Sequence, residues 1–269
     1  MYLHHRLNSS RLVVLLQQWT RAECARSGAP LGASAPAPDV AQELSQWLGT
    51  VESVQLSRAL HAIEASPEVH GTATANDAPR ALDLAALQGL VDKATAELMA
   101  MFAAAAQPPK PARARADNTP VDAPDPWLAA DFAAHAPRYL ELQKQMDTRL
   151  MAVRLQVRHG VAQVSPALRQ LAALDAVMEQ MQSAREQRLW STLPMHLEKR
   201  FAHLQALHQQ SLQATGQADD PMRWRKPGGW LWTFERDLQA LLVAEMQVRL
   251  QPVMGLLDAA RNEKTGQVE

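Results

Sequence analysis

The sequence predicts an all-α protein, and three observations support this fold class. Hydrophobic residues make up 47% of the 269 residues, yet only four are Phe and two are Tyr, while Leu, Ala, Gln and Met are frequent. This mixture favours helices over sheets. Apolar residues recur at steps of three and four along extended stretches, as on one face of a helix. Helix-starting pairs such as Ser165-Pro166 and Asp220-Pro221 precede two of these stretches.

The N-terminal half is expected to form a helical domain over residues 1–104. Its helices are predicted at about 9–26, from Asp39 to Gly49, at 51–65 and at 80–102, separated by polar or Pro-rich loops. The apolar residues expected to face a core are Leu12, Leu15, Leu16, Trp19, Leu44, Trp47, Leu48, Val51, Val54, Leu60 and Ile63.

Residues 105–126 are expected to be a flexible, disordered linker. The segment holds six of the 17 prolines and no large apolar side chain, so it cannot bury enough surface to offset the entropy of ordering. A plain spacer is the preferred interpretation. The alternative is a nucleic-acid tether through "KPARAR", which contains Arg113 and Arg115, but three positive charges allow only a few phosphate contacts.

Residues 127–269 are predicted to form an elongated antiparallel bundle of about four long helices. A narrow seam of coiled-coil type begins at Tyr139, and short turns near Ser165 and Ser191 require antiparallel neighbours. The seam comprises Tyr139, Leu142, Met146, Leu150, Val153, Val157, Val161 and Val164. The later helices present Leu168, Leu171, Leu174, Met178, Met181 and Leu189, then Leu197, Phe201, Leu204, Leu207 and Leu212, then Phe234, Leu238, Leu242, Met246, Leu250, Val253 and Leu257.

The bulk charge and the cysteine content limit the classes of function. The net charge is −1, with −4 over residues 1–135 and +3 over residues 136–269, so the chain is not a polycation. Cys24 is the single cysteine, which rules out an intrachain disulfide and a Cys-based zinc site and suits a reducing cytosol. No stretch approaches the roughly 20 apolar residues of a membrane span. We therefore expect a cytoplasmic protein without direct membrane insertion.

Signs of catalysis are weak. The glycines never form a dinucleotide or phosphate-binding loop, no GxSxG sequence is present, and no cofactor is expected. His196, His203 and His208 share one predicted helix without a metal-binding spacing, so we interpret them as exposed or rim histidines.

Acidic residues repeat along the second long helix of the C-terminal half. Asp175, Glu179 and Glu186 fall on one side of it, which is the arrangement of a solvated charged face. A metal-dependent nuclease built on Asp175 and Glu179 is a less favoured hypothesis.

The stretch "MRWRKPGGWLWTF" (222–234) combines three tryptophans with three basic residues. Pro227-Gly228-Gly229 interrupts a helix, so the last helix is expected to start near Gly229, and at least one tryptophan is expected to be partly exposed. Aromatic and basic groups together suit a protein contact or base stacking. The preferred interpretation packs the aromatics at the bundle end. The candidate partner-binding or nucleic-acid-binding residues are Arg223, Trp224, Arg225, Lys226, Trp230 and Trp232, with Lys199 and Arg200.

The last helix also carries "LLVAEMQVRLQPVMGLLDAA" (241–260), in which Pro252 predicts a kink and Glu245 and Arg249 stand four residues apart. This segment resembles the C-terminal signature of a bacterial family of unknown function. The similarity extends to "SSRLVVLL" (9–16), "QWLGTVESVQLSRAL" (46–60), "ALRQLAALDAVMEQM" (167–181) and "RFAHL" (200–204).

The resemblance implies a genomic context rather than a reaction. Members are similar to accessory proteins encoded beside a MotA/TolQ-like and an OmpA/MotB-like protein, in gene sets that look like the third type of Zorya antiphage defence system. It would make this chain a non-enzymatic interaction protein that binds another accessory protein of the locus, a second copy of itself, or the cytoplasmic part of the motor. DNA is the alternative partner. The resemblance provides no catalytic residue, and we interpret Glu245, Arg249 and Pro252 as structural.

Overall fold

The structure is a computed structural model, and it describes residues 10–27, 50–65, 84–105 and 126–266. The regular structure in these ranges is helical and contains no strand, which confirms the predicted all-α class. The long helices are α1 (Arg11–Ser27), α2 (Thr50–Ala65), α3 (Leu84–Ala105), α4 (Ala136–Val161), α5 (Pro166–Trp190), α6 (Leu193–Thr215) and α8 (Trp230–Gly266). The short helix α7 (Pro221–Trp224) precedes α8, and two 3₁₀ helices, Pro126–Ala130 and Phe132–Ala134, precede α4.

The helices belong to two compact units, each of which draws segments from both sides of the predicted linker. The described residues of the first unit fall within Met1–Ser27, Thr95–Thr148 and Ser191–Val248. Those of the second fall within Gly28–Ala94, Arg149–Trp190 and Arg249–Glu269. Residues 106–125, which contain nearly all of the predicted linker, lie outside the described residues, and the three-part division of the chain stays a prediction.

In the first unit, the segment 241–246 of helix α8 is buried around its whole circumference. Residues 241–246 are six consecutive buried positions, and Phe234 and Leu238 precede them on the same helix. A helix that is apolar around its whole circumference is typical of the centre of a core. The side chain of Glu245, within this run, accepts hydrogen bonds from Tyr139 Oη (3.1 Å) and Gln143 Nε2 (3.0 Å) of α4.

The other helices of the first unit contact one another through specific pairs. Helix α1 packs against α6, with the Arg200 guanidinium 5.8 Å from the centre of the Trp19 ring. Arg200 and Phe201 of α6 contact Asp237 and Phe234 of α8, respectively. Farther along α6, His208 stacks on Trp230 at the start of α8. The order of these contacts shows that α6 and α8 are antiparallel.

In the second unit, helix α5 packs against two neighbours. It contacts α2 and is joined to α4 by ion pairs from Arg154 and Arg158. Most of its central residues are therefore half-buried, and only Leu168 and Ala172 are fully buried. At the end of this unit, the Arg249 guanidinium of α8 lies 4.6 Å from the centre of the Trp190 ring.

The predicted helix starts are confirmed by their hydrogen bonds. The Ser165 hydroxyl accepts from the backbone N–H of Leu168 (3.1 Å), and α5 begins at Pro166. The Asp220 carboxylate accepts from the backbone N–H of Met222 (3.0 Å), and α7 begins at Pro221. These side chains satisfy backbone donors that a helix leaves free at its first turn.

The predicted apolar seams of α4 and α8 are largely confirmed. Of the eight seam positions that begin at Tyr139, all are buried except Val164, which lies in the turn after α4 and is 36% exposed. All seven predicted positions of α8, from Phe234 to Leu257, are buried. A strict three-four spacing thus identified the buried faces of the two longest helices.

Other predicted core positions are wrong. In α2, Val54 and Leu60 are exposed, because the more sheltered face of this helix carries Leu56, Ala59 and Ile63 instead. In α5 and α6, Leu189 and Leu207 are exposed although they continue the apolar pattern of their helices. Periodicity locates an apolar stripe, but whether a neighbour covers each end of the stripe depends on the tertiary structure.

Several predictions fall on residues that the structure does not describe. They concern the helix from Asp39 to Gly49 with Leu44, Trp47 and Leu48, and the basic Arg113 and Arg115. Cys24 lies in α1, but its side chain is also outside the described set.

Helix α8 is the one described helix long and apolar enough to cross a membrane. The test uses length and composition only, and 56% of its most apolar window is buried inside the protein. It contributes buried apolar residues to each unit, such as Leu242 in the first and Val253 in the second, which accounts for this apolar character.

The central position of α8 predicts a large effect for a truncation within it. Leu242→Ala should lower the free energy of unfolding by about 2–5 kcal/mol, because Leu242 is fully buried and the change leaves a cavity. Chemical denaturation monitored by circular dichroism measures the effect. The control is Leu140→Ala in the same unit, at a side chain that is 49% exposed and should cost about 0.5 kcal/mol or less. Equal losses in the two variants would contradict this packing.

Candidate functional site

A cluster of aromatic rings lies in the first unit, where the ends of α6 and α8 meet α7. At its centre, Phe201 packs edge-on against Phe234 and Trp230, with ring centroids 4.9 and 5.2 Å away. Trp224 of α7 lies 5.5 Å from Trp230, and Trp127 lies 5.1 Å from Trp224. We call Trp127, Phe132, His135, Phe201, Trp224, Trp230 and Phe234 the aromatic cluster. Edge-to-face pairs of this kind add stability beyond the area that they bury.

The loop between α6 and α7 is held by Asp219. Its Oδ1 accepts hydrogen bonds from Trp224 Nε1 (2.7 Å) and from His208 Nε2 (2.9 Å). Burial alone would raise the pKa of Asp219, but the bonds from Trp224 and His208 outweigh it and hold the pKa below its ordinary value. Asp219 is therefore an anion that ties α6 to α7.

The turn between α7 and α8 requires glycine. Gly228 has a φ of +88°, a conformation that other residues rarely adopt. A Cβ atom built on Gly229 would lie 2.1 Å from the Trp224 carbonyl oxygen, closer than any real contact. Because glycine fits here, the chain can reverse directly over α7 and place Trp230 beside Trp224.

These elements surround a surface cleft of about 380 Å³. Its walls are the end of α6 from His208 to Thr215, the loop with Asp219 and Asp220, and the segment from Arg223 to Trp230. Arg223 and Lys226 are exposed cations in its lining, and neither forms an ion pair with any residue that the structure describes. The cleft opens at the start of α8, whose first turn contains no acidic residue.

Two of the other basic residues that were predicted to bind a partner are paired with carboxylates of α8. Arg225 Nε donates to Glu235 Oε1 (3.1 Å), and Arg200 Nε donates to Asp237 Oδ2 (2.7 Å). Burial raises the pKa of Glu235, and the nearby Arg225 opposes that effect. Lys199 is exposed on α6, but it precedes His208 by nine residues, or about 13 Å along a helix. The structure therefore does not gather the predicted basic residues into one surface.

The predicted tryptophans are mostly inside the protein. Trp224 and Trp230 are buried, and Trp230 Nε1 has no hydrogen-bond partner among the described residues. Trp232 is half-buried, and the Arg236 guanidinium covers its ring at 4.8 Å from the centroid. The rings of Trp224 and Trp230 are therefore not available for stacking, and one face of the Trp232 ring is covered.

Three exposed apolar residues at this end of the first unit were not among the predicted binding residues. Trp127, Leu128 and Met222 are 52%, 62% and 71% exposed, and the 3₁₀ helix Pro126–Ala130 packs against α7. We call these three residues the apolar patch. The sequence pattern around these residues gives little indication of a surface. Trp127 and Leu128 directly follow the Pro-rich segment, and Met222 is a single apolar residue next to Arg223.

Glu245, Arg249 and Pro252 of the family-like segment lie within α8 and do not line the cleft. Glu245 is fully buried at the α4–α8 contact, and Arg249 covers Trp190. Pro252 lies inside α8, which continues to Gly266. The proposed kink at Pro252 stays a prediction.

The prediction that Asp175 lies on a solvated acidic face of α5 is wrong. Arg154 and Arg158 of α4 both bind its carboxylate, at 2.6 and 2.7 Å, and its side chain is only 12% exposed. Glu179 joins the same network. The two guanidinium groups occupy the side on which a cation would bind, so this geometry gives no support to a metal nuclease at Asp175 and Glu179.

One of the three histidines differs from their sequence-based interpretation as exposed or rim residues. His203 is buried, and His208 pairs with Asp219, so only His196 of this set is half-exposed without a described role. In the part of the chain that the structure describes, no group of three or more His, Cys, Asp or Glu side chains could hold a metal ion.

The fold and the site define an all-α protein with a cleft and an apolar patch at a cluster of aromatic rings. The chain belongs to the family described as "Protein of unknown function (DUF3348)", whose family model matches residues 2–262. No curated protein and no solved structure matches the chain.

His135 should make stability depend on pH. Burial lowers its pKa below the ordinary 6.5, and the bond from its Nε2 to the Ala129 carbonyl (3.0 Å) only partly opposes this. The stability that neutral His135 contributes is complete above the pKa that this histidine has in the unfolded chain. It is lost as the pH falls below about 6.5. The free energy of unfolding should therefore fall more steeply from pH 7.5 to 5.5 in the wild type than in His135→Gln. His159→Gln, at an exposed histidine, is the control and should retain the wild-type slope.

The network around Asp175 should contribute to stability. Asp175→Ala should lower the free energy of unfolding by about 1.5–3 kcal/mol, because Arg154 and Arg158 lose charged hydrogen bonds while they stay largely buried. The matched control is Asp258→Ala, since the Asp258–Arg261 pair is more than half exposed and should cost about 0.5 kcal/mol. Denaturant unfolding of the two variants compares them. An Asp175→Ala variant as stable as Asp258→Ala would refute the assignment.

Proposed function

We propose that this protein is a non-catalytic, cytoplasmic interaction module of a proton-motor-linked antiphage defence system. The observation that carries the interaction role is the apolar patch of Trp127, Leu128 and Met222, which is more than half exposed beside the exposed Arg223 and Lys226. Exposed aromatic and methionine side chains next to arginine are typical of protein interfaces.

The defence setting rests on the resemblance to accessory proteins encoded with MotA/TolQ-like and OmpA/MotB-like proteins. The partner in this proposal is another accessory protein of the same locus. A second copy of this chain and the cytoplasmic part of the motor are the other candidates.

DNA binding is the second candidate function. Arg223 and Lys226 favour it, because both are exposed and unpaired among the described residues. Two observations weigh against it: Arg200 and Arg225 are neutralised, and Trp224 and Trp230 are buried, so these two rings are not available for base stacking. A gel-shift assay at two salt concentrations tests it. Binding that weakens steeply as salt rises would support phosphate contacts.

Co-purification tests the interaction role. Tagged protein from cells that carry the whole locus should recover a protein partner, and Leu128→Ser with Met222→Ser should reduce the recovered amount about tenfold or more. Both side chains are largely exposed, so the double variant should keep its fold, which circular dichroism verifies. Leu140→Ser, at an exposed leucine of α4 in the same unit, is the control and should recover the partner as the wild type does. Recovery of no protein by the wild type would count against the proposal.

A further inference from the structure

The cations around the aromatic cluster fall into two groups. Arg200 and Arg225 bind carboxylates of α8 in the same unit. Arg223 and Lys226 bind none among the described residues, and both line the cleft. Two exposed cations without an ion pair among the described residues thus line the cleft, and Arg223 directly follows Met222 of the apolar patch.

The backbone adds to this positive field. Helix α8 starts at Trp230 after two glycines, which have no side chain to cap it, and its first turn contains no acidic residue. The free N–H groups and the helix dipole favour a negative group at this end. Trp230 is itself part of the cleft wall.

The acids in the cleft limit what kind of anion can bind. Asp219 is engaged by His208 and Trp224, and Asp220 caps α7. Both acids line the same cleft as Arg223 and Lys226, so the formal charges of these four side chains balance. A nucleic-acid backbone presents closely spaced phosphates and gains its affinity from many contacts, whereas two cations beside two acids suit one or two carboxylates.

We infer that the protein partner presents an acidic segment, with carboxylates in the cleft at Arg223 and Lys226 and an apolar side chain on the patch of Trp127, Leu128 and Met222. The inference deepens the proposed function and rests on it. The cleft volume of about 380 Å³ is at the lower end of the range for ligand sites, which suits a few side chains of a docked segment. Charge complementarity of this kind fixes the register of a contact and speeds association.

A carbodiimide, which joins an amine to a carboxylate in direct contact, tests the inference on the complex co-purified from cells with the whole locus. Mass spectrometry should find Lys226 coupled to an Asp or Glu of the partner. Lys226→Arg should abolish that coupling and still recover the partner, because the charge remains. Arg223→Glu with Lys226→Glu should reduce recovery about tenfold or more. Lys144→Glu, at an exposed lysine of α4 in the same unit, is the control and should change neither result.

The outcomes separate the inference from the proposed function. If a partner is recovered but Lys226 couples to nothing, or only to Asp219 or Asp220 of its own chain, the inference is overturned and the interaction role stands. Unchanged recovery by the charge-reversed variant also overturns it. So does coupling to a second copy of this chain, or co-purified nucleic acid that the same variant loses. Recovery of no partner by the wild type overturns both.

Discussion

The complete burial of one segment of α8 is the constraint on which the first unit depends. Six consecutive residues of this helix, 241–246, are removed from solvent, and each one needs a neighbour. Glu245 is among them, and a buried carboxylate is costly unless hydrogen bonds compensate for its lost hydration. Tyr139 and Gln143 of α4 supply two such bonds. The packing of α4 on α8 is therefore fixed by polar groups as well as by apolar area, and a shifted register would leave Glu245 without these donors.

The candidate site follows from the way this core helix begins. Phe234 and Trp230 on the first turns of α8 pack against Phe201 of α6, and His208 farther along α6 stacks on Trp230, so the start of α8 lies beside the C-terminal half of α6. The chain must then enter α8 from α7 through a tight reversal, which Gly228 and Gly229 allow. The cleft is the space left between this reversal and the Asp219 loop. Its position is thus a consequence of core packing, and its charge is set by the two cations that the reversal leaves exposed.

The fold class and the longest helices could be predicted because they depend on sequence patterns that span only one or two helical turns. Capping residues and the three-four spacing of α4 and α8 depend on residues within one or two turns, and the structure agrees with them. The failures depend on contacts between distant segments. Val54 and Leu207 belong to apolar stripes that no neighbour covers fully, whereas Asp175 is covered by Arg154 and Arg158 of the preceding helix. No spacing within one helix reveals such a pairing.

The same distinction explains the candidate site. The aromatic and basic stretch around Trp224 was recognised from its composition, but its orientation could not be predicted from it. Trp224 and Trp230 turned inward because α7 and α8 fold back on each other, and Arg225 found Glu235 on the far side of the turn. The exposed surface came partly from Trp127 and Leu128, which reach α7 from a distant part of the chain.

The crowding of indole rings at this end has a practical consequence. Of the seven tryptophans in the chain, Trp127, Trp224, Trp230 and Trp232 all lie around the start of α8 and in the turn packed on α7. Trp127 is half in water, while Trp224 and Trp230 are sheltered and within 6 Å of another indole. Four of the seven indoles therefore emit from this one region. A molecule that docks there should change the wavelength and the intensity of the tryptophan fluorescence.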